Sequence, residues 1–176
     1  PDGKIVAGGT VGLSGAQNFG VGRFNGNGTV DTGFNSTGQA TVSFGAGSDL
    51  ATDGLLQADG RIVLAGTPSG TAGGFALARF SSAGALDPSL NGAGTVAVTG
   101  IGRAGATGNA IVVAPDGKIV VGGTRTAGGI ADQVLVARLM PDGSLDPTFN
   151  GTGMANAPAQ SSFGRGQALA VQPDGK

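Results

Sequence analysis

The chain has 176 residues, 37 of them glycine, a formal net charge of −1 and no cysteine, tryptophan or tyrosine. A nearly neutral chain has no electrostatic attraction for nucleic acid or an anionic membrane, and a chain without cysteine has neither disulfides nor thiolate metal sites. No apolar run reaches the roughly 18 residues of a membrane-spanning helix, so we expect no membrane insertion. All acidic residues are aspartate and histidine is absent, so the usual acid–base and nucleophilic groups are missing and we expect no enzyme activity.

The chain opens on a Pro-Asp-Gly turn followed by the apolar run IVAGGT, and this turn-and-strand phrase recurs at 55–67, 111–124 and 169–176. Proline, aspartate and glycine favour a tight turn, and the β-branched residues favour the strand that follows. A strand is also expected before each turn, as at Leu169–Gln172. The turn glycines follow one another at steps of 57, 57 and 58 residues: Gly3, Gly60, Gly117 and Gly175.

A second phrase follows the first in each repeat, and it predicts two further strands. The first is an apolar run with no polar face, which indicates a strand covered on both sides, at 19–24, 75–80 and 134–139. After a glycine turn, an aspartate and a Phe/Leu-Asn-x-x-Gly turn, the second strand is expected at 40–44, 95–98 and 154–158. The last of these contains proline and is typical of an edge strand.

The connecting stretches are rich in glycine, serine and alanine and differ between repeats. They predict loops at 45–54, 99–109 and 160–167, and no segment has helical periodicity.

A constant period of this length indicates a repeat protein. We divide the chain, as a single array over 1–176, into repeats of about 1–57, 58–114 and 115–172, with 173–176 beginning the next repeat. Each repeat holds about four predicted strands that cannot bury both faces alone, so neighbouring repeats are expected to stack. Propeller blades have roughly 40–50 residues and four strands. The predicted fold is therefore all-β, a β-propeller of four-stranded antiparallel blades, with about three blades in this chain.

The phrases PDGKIVVGGT at 115–124 and ARLMPDGSLDPTFNGTG at 137–153 together resemble the bacterial delta-60 repeat family. The resemblance implies propeller-like blades in large secreted or surface-associated bacterial proteins, and hence an extracellular or cell-surface location. It implies no catalytic residues and no cofactor. For individual residues, the resemblance implies structural roles.

One arginine and one aspartate recur in each repeat: Arg23 with Asp31, Arg79 with Asp87, and Arg138 with Asp146. The resemblance implies structural roles for the second and third pairs, while the flanks of the first depart from the pattern. A charge among apolar strand residues needs a partner, so we interpret each set as a structural pair. A ring of charges that binds a ligand is the alternative.

Other charged residues lie in predicted loops or turns. Arg103, Arg125 and Arg165 are candidate contacts to a glycan or anion on the rim, with solubility as the alternative. Asp49 and Asp53 depart from the repeat pattern, and whether they bind calcium stays open. The aspartates of the turns are interpreted as Asx-turn residues, and no metal site is predicted.

The predicted function is a non-catalytic scaffold or binding module of a secreted or cell-surface protein, whose variable rim loops contact a protein or a glycan. One alternative is a structural subunit. Because the sequence begins and ends at the same phase of the repeat, three arrangements are open: two copies joined head to tail as a six-bladed ring, a filament of copies, or a slice of a longer array of repeats. A polysaccharide-acting propeller enzyme is a third alternative, which the lack of glutamate and histidine disfavours.

Overall fold

The computed structural model describes residues 2–69, 73–99, 101, 105–126, 132–157, 164–172 and 175. These residues contain eleven β-strands and no helix. The strands are Ile5–Leu13 (β1), Ala16–Phe24 (β2), Gln39–Val42 (β3), Leu50–Leu56 (β4), Ile62–Thr67 (β5), Gly74–Phe80 (β6), Thr95–Thr99 (β7), Ala106–Val113 (β8), Ile119–Arg125 (β9), Gln133–Leu139 (β10) and Met154–Asn156 (β11). Within the same residues, no helix long and apolar enough to cross a membrane is found.

The strands form three antiparallel meanders, and the second and third each begin one strand before the corresponding sequence repeat, with β4 and β8. The first is β1-β2-β3, the second is β4-β5-β6-β7, and the third is β8-β9-β10-β11. A single parallel bridge between Gly74 and Thr107 joins the second and third meanders into one eight-stranded sheet. The prediction of an all-β chain is confirmed, and in the described residues the sheets do not close into a ring.

Two of the predicted loops were wrong in part. The stretches 45–54 and 99–109 contain the beginnings of β4 and β8. Both strands carry a β-bulge, between Ala51 and Asp53 and between Gly108 and Ala110. A bulge inserts an extra residue and so interrupts the two-residue alternation that identifies a strand in sequence. The glycines beside each bulge strengthened the loop interpretation.

The strand expected at Leu169–Gln172 is not formed. In the other repeats the equivalent strands, β4 and β8, pair with the strand that follows the Pro/Ala-Asp-Gly turn. Beyond this segment the structure describes only Gly175, so the described residues include no strand that follows the last turn. The third predicted outer strand is shorter than expected, since β11 ends at Asn156, and residues 158 and 160–163 of the predicted strand and loop lie outside the described residues.

The middle meander is buried on both faces. Alternate side chains of β6 enter two separate cores: Phe75 and Leu77 pack with residues of the third repeat, whereas Ala76, Ala78 and Phe80 pack with residues of the first. The strands that are apolar on both faces are therefore sandwiched between neighbouring repeats, as their sequence indicates. Each repeat depends on the next for the burial of its apolar side chains.

Candidate functional site

The repeated arginine and aspartate of the middle repeat lie in a cluster with a second cation. Arg79 Nε donates to Asp87 Oδ2 at 2.7 Å, and Arg61 Nε lies 2.9 Å from the same oxygen. The other carboxylate oxygen accepts from the amide and hydroxyl of Ser89 at 3.1 and 2.8 Å. Arg79 and Asp87 are both buried, so their charges are held by partners rather than by water.

The first and third repeats build the same cluster. In the first, Lys4 Nζ and Arg23 Nε each lie 2.6 Å from Asp31 Oδ2. In the third, Lys118 Nζ and Arg138 Nε lie 3.2 and 2.7 Å from Asp146 Oδ2. The structure thus brings each predicted arginine and aspartate together. We refer to these three sets as the ion clusters: Lys4–Arg23–Asp31, Arg61–Arg79–Asp87 and Lys118–Arg138–Asp146.

The second cation of each ion cluster was missed by sequence reasoning. Lys4, Arg61 and Lys118 each follow the glycine of the Pro/Ala-Asp-Gly turn, so a basic residue at a constant place in the repeat was a usable signal. It was overlooked because a lysine or arginine next to a turn usually projects into solvent.

Local backbone structure sets the geometry of the ion clusters. The arginine is the penultimate residue of β2, β6 or β10. The chain then turns back through an isolated bridge, such as Phe80 with Leu86, and the amide of Asp87 donates to the Arg79 carbonyl at 2.8 Å. Arginine and aspartate are therefore neighbours across a tight hairpin. The second cation, which is Lys4, Arg61 or Lys118, lies one residue before the neighbouring strand β1, β5 or β9.

The aspartates of the ion clusters have lowered pKa values. The hydrogen bond from Lys4 is the main cause of the lowered pKa of Asp31. Burial opposes ionisation of Asp87, but the hydrogen bonds from Ser89 and the charge of Arg79 outweigh it and lower that pKa. The hydroxyl of Thr148 contributes most to the strongly lowered pKa of Asp146. All three carboxylates are ionised at neutral pH.

Each of the first two arginines also reaches the following repeat. Arg23 Nη1 donates to the Ser82 carbonyl at 2.5 Å, and Arg79 Nη1 donates to the Pro141 carbonyl at 2.8 Å. Beside them, two backbone bonds cross the same boundaries, from Asn35 N to Ala83 O at 2.8 Å and from Asn91 N to Asp142 O at 2.7 Å. The ion clusters of the first and second repeats are therefore joints to the repeat that follows.

The guanidinium groups have few donors left for a ligand. Arg23 stacks over the ring of Phe34 at 4.8 Å, and Arg138 over Phe149 at 4.7 Å. In the middle repeat, where Leu90 replaces the phenylalanine, Arg79 Nη2 donates instead to Ser89 Oγ at 2.8 Å.

The charge of the clusters is also balanced. Asp59 accepts from Arg61 Nη1 at 2.8 Å, and Asp116 Oδ2 lies 3.4 Å from Lys118 Nζ. Two cations and two carboxylates therefore cancel in each of these clusters. This balance disfavours the interpretation of the ion clusters as a ring that binds an anion.

Asp49 and Asp53 are both engaged in hydrogen bonds within the protein. Asp49 is fully buried, and its oxygens accept from the amide and hydroxyl of Ser69 at 2.7 and 2.9 Å and from Phe44 N at 2.7 Å. Burial opposes its ionisation, but these hydrogen bonds outweigh it and lower the pKa. Asp53 lies at the bulge of β4 and accepts from Ile111 N at 2.9 Å. In the described part of the chain no three acidic residues come together as metal ligands.

The three arginines predicted on the rim have different outcomes. Arg125 was expected in a loop but is the last residue of β9, where it pairs with Gln133 and Ala106 and donates to Gln133 Oε1 at 3.3 Å. Arg165 has a side chain that is 68% exposed, with Nε 3.9 Å from Asp132 Oδ2. Arg103 lies outside the described residues.

The repeat geometry agrees with a comparison against known families. A family model described as "Domain of unknown function (DUF5122) beta-propeller" matches residues 1–34, 57–90 and 114–149, which together exceed half of the chain. Each matched segment contains one complete ion cluster. No curated protein matches this chain. The match confirms the expectation of a β-propeller repeat, whereas the delta-60 assignment stays a prediction. The chain belongs to the DUF5122 β-propeller family.

Proposed function

We propose that the chain is a non-catalytic β-propeller scaffold, built of four-stranded blades, that contacts a protein or a glycan outside the bacterial cell. Each repeat would be one blade, with β4 and β8 as inner strands and β3, β7 and β11 as outer strands. One observation carries the proposal: the charged residues that recur in every repeat bind one another, and in the first two repeats they also form joints such as Arg79 to Pro141, so recognition is left to residues that differ between repeats.

The variable residues lie at the opposite end of the blades from the ion clusters. The hairpin between β1 and β2, the connection from β3 to β4 and the connection from β9 to β10 all lie at this end, because neighbouring strands run antiparallel. We call it the loop end. Arg165, at the start of the segment before the last turn, also belongs to it.

Binding at the loop end is tested by glycan-array screening of the intact chain and of two variants with the same loss of charge. Arg165→Gln changes an exposed residue of the loop end, and Arg61→Gln, the control, changes a residue of the opposite end that is 43% exposed. We expect Arg165→Gln to weaken any glycan signal and Arg61→Gln to retain it. Equal loss in both variants, or binding unaffected by either, would contradict recognition at the loop end.

The proposal that the chain is not an enzyme has its own test. The ionised aspartates of the ion clusters are held by cations and hydrogen bonds rather than poised as an acid and a base. Incubation with a panel of polysaccharides should release no product. Reproducible turnover that is lost on substitution of a single aspartate would overturn the proposal.

A second candidate function is that of a structural subunit whose copies join head to tail. The observation that favours it is an unpaired sheet edge: in the described residues β1 pairs only with β2, whereas the equivalent strands β5 and β9 have a strand on both edges. An exposed strand edge can accept another strand. Light scattering over a range of concentrations tests this function, since a monomer of 16.7 kDa at all concentrations would contradict it.

A further inference from the structure

The connection from β3 to β4, residues 43–49, is held by one buried carboxylate. Asp49 is fully buried, and its Oδ2 accepts from Phe44 N at 2.7 Å and from Ser43 Oγ at 3.2 Å. Its Oδ1 accepts from the amide and hydroxyl of Ser69 at 2.7 and 2.9 Å. These donors are all neutral, and no salt bridge to Asp49 is found in the described part of the chain. One side chain therefore ties both ends of the connection to the segment that follows β5.

The middle of this connection is exposed and rich in glycine. Residues 45–47 are all exposed, and Gly47 has a φ of 121°. The connection folds closely around Ser69, since a Cβ at Gly47 would lie 3.1 Å from the Ser69 Cβ. A segment of glycine, serine and alanine is flexible unless contacts hold it. The hydrogen bonds to Asp49 therefore decide which conformation the exposed residues adopt.

The equivalent connections of the other repeats are built without this carboxylate. Ala106 and Gly164 stand eleven residues before their turn glycines, as Asp49 does before Gly60. The backbone bond from Asp49 N to Gln17 O, 2.8 Å long, has its counterpart in the 2.8 Å bond from Gly164 N to Asp132 O. The amide of Thr126, which is equivalent to Ser69, donates instead to the Gly105 carbonyl at 2.9 Å. The fold itself therefore does not require a charge at position 49.

We infer that Asp49 is a positioning residue, whose carboxylate fixes the conformation in which residues 43–48 and Ser69 are presented at the loop end. The inference rests on the proposed function, in which the loop end recognises the partner. Burial opposes ionisation of Asp49, and the hydrogen bonds that outweigh burial use the carboxylate entirely within the protein. A loop fixed in advance loses less conformational entropy when it binds. A buried charge that the fold does not require is accounted for by this gain.

Asp49→Asn tests the arrangement with little change of shape. Both oxygens of Asp49 accept from a backbone amide, of Phe44 on one side and of Ser69 on the other. Asparagine has one oxygen, and its amide group only donates. In either orientation of the new side chain, one of the two backbone amides would face a second donor. One tie of the connection is therefore lost.

Two further variants complete the set. Asp142→Asn is the matched control, because Asp142 accepts from the amide and hydroxyl of Ser144 at 2.9 and 2.7 Å, as Asp49 does from Ser69. Asp142 lies in an exposed turn at the end with the ion clusters, away from the connection. Asp49→Ala is the second test variant, since the structure already accommodates alanine at the equivalent residue 106.

Backbone order parameters from NMR relaxation measure how firmly the connection is held. In the intact protein we expect values of about 0.85 for residues 44–48, which is the level of rigid backbone. In Asp49→Asn and Asp49→Ala these values should fall below about 0.6, the level of flexible backbone, while those of β6 stay unchanged. Asp142→Asn should leave the order parameters of residues 44–48 as they are in the intact protein.

The outcomes separate the inference from the function on which it rests. Order parameters that stay high in both Asp49 variants overturn the inference, and so does a fall shared equally by β6, because Asp49 would then serve the fold as a whole. Glycan-array screening of the same variants tests recognition. A signal weakened in the Asp49 variants and kept in Asp142→Asn supports both, whereas a signal kept in loosened variants overturns this connection as a binding surface. An intact chain that binds no glycan contradicts glycan recognition, while the order parameters still decide whether Asp49 positions the connection.

Discussion

Asp87 holds together three parts of the middle repeat with one carboxylate. Arg61 and Arg79 bind one oxygen, and Ser89 binds the other. Since Arg79 continues to the Pro141 carbonyl, the same guanidinium links the carboxylate of one repeat to the backbone of the next. A charge in a strand of apolar residues is tolerated here because each of the three guanidinium nitrogens of Arg79 donates a hydrogen bond.

Replacement of Arg79 by leucine is expected to destabilise the fold. Asp87 would lose one of its two cations in a buried setting, and the bond to the next repeat would be lost. Loss of one partner of a buried pair costs up to about 3–5 kcal/mol, and because Arg61 and Ser89 remain, we expect about 2–3 kcal/mol. Chemical denaturation measures this free energy of unfolding, and binding at the loop end should persist.

The third repeat supplies the control for this prediction. Arg138 has the equivalent place, is more exposed, and in the described residues does not reach a following repeat. Arg138→Leu should therefore cost less than Arg79→Leu in a chain studied at a concentration where it is monomeric. An unchanged melting temperature in Arg79→Leu would show that the ion clusters are not structural joints.

At the scale of the strand, β6 shows why the repeats cannot be separated. Phe75 and Phe80 are both nearly fully buried but belong to different cores, one on each side of the strand. Full burial of a side chain of this size contributes roughly 1.5–3 kcal/mol. Removal of either neighbouring repeat would expose one of these faces to water, so the stability of the middle repeat belongs to the stack.

Gly123 of β9 allows a test of how closely this strand packs against β8. Gly123 faces the carbonyl of Thr107 across the bulge of β8, and a Cβ there would overlap the oxygen. Gly123→Ala should therefore lower the free energy of unfolding by about 2–3 kcal/mol, since overpacking forces the backbone apart. Denaturation of Gly123→Ala alongside Gly9→Ala isolates this effect, because Gly9 holds the same place in its repeat with open space around it. Equal stability of the two variants would contradict the close approach.

The elements differ in how far they could be predicted from the sequence. Turns such as that at Gly60 and the runs after them carry local signals, so β5, β6 and their equivalents were found. The beginnings of β4 and β8 were missed because bulges break the alternation. The recurrence of one arginine and one aspartate in each repeat, as Arg79 and Asp87, indicated a pair, since a charge in an apolar strand needs a partner. The bonds to the carbonyls of Ser82 and Pro141 leave no trace in side-chain type, so no sequence pattern could reveal them.

On the scale of the whole molecule, the charged side chains and the buried apolar side chains occupy corresponding places in each repeat. The ion clusters lie at one end of the strands and the variable loops at the other, while apolar side chains fill the space between neighbouring repeats. The end with the ion clusters is therefore bound to its neighbours by hydrogen bonds, and the loop end is free to differ from repeat to repeat. This division is what a scaffold with exchangeable binding loops requires.

The stability of the whole molecule should depend on pH only in acid. The pKa values of Asp31, Asp49, Asp87 and Asp146 are all lower in the folded protein than the value of about 3.9 of an unfolded chain. A lowered pKa contributes stability that is fully present above the unfolded pKa and is lost as the pH falls toward the folded pKa. With no histidine or glutamate to titrate near neutrality, the melting temperature should be constant from about pH 5 to 8 and should fall below about pH 4. Thermal unfolding across this range measures the effect, and a fall between pH 5 and 8 would contradict the assignment of these carboxylates as ionised structural partners.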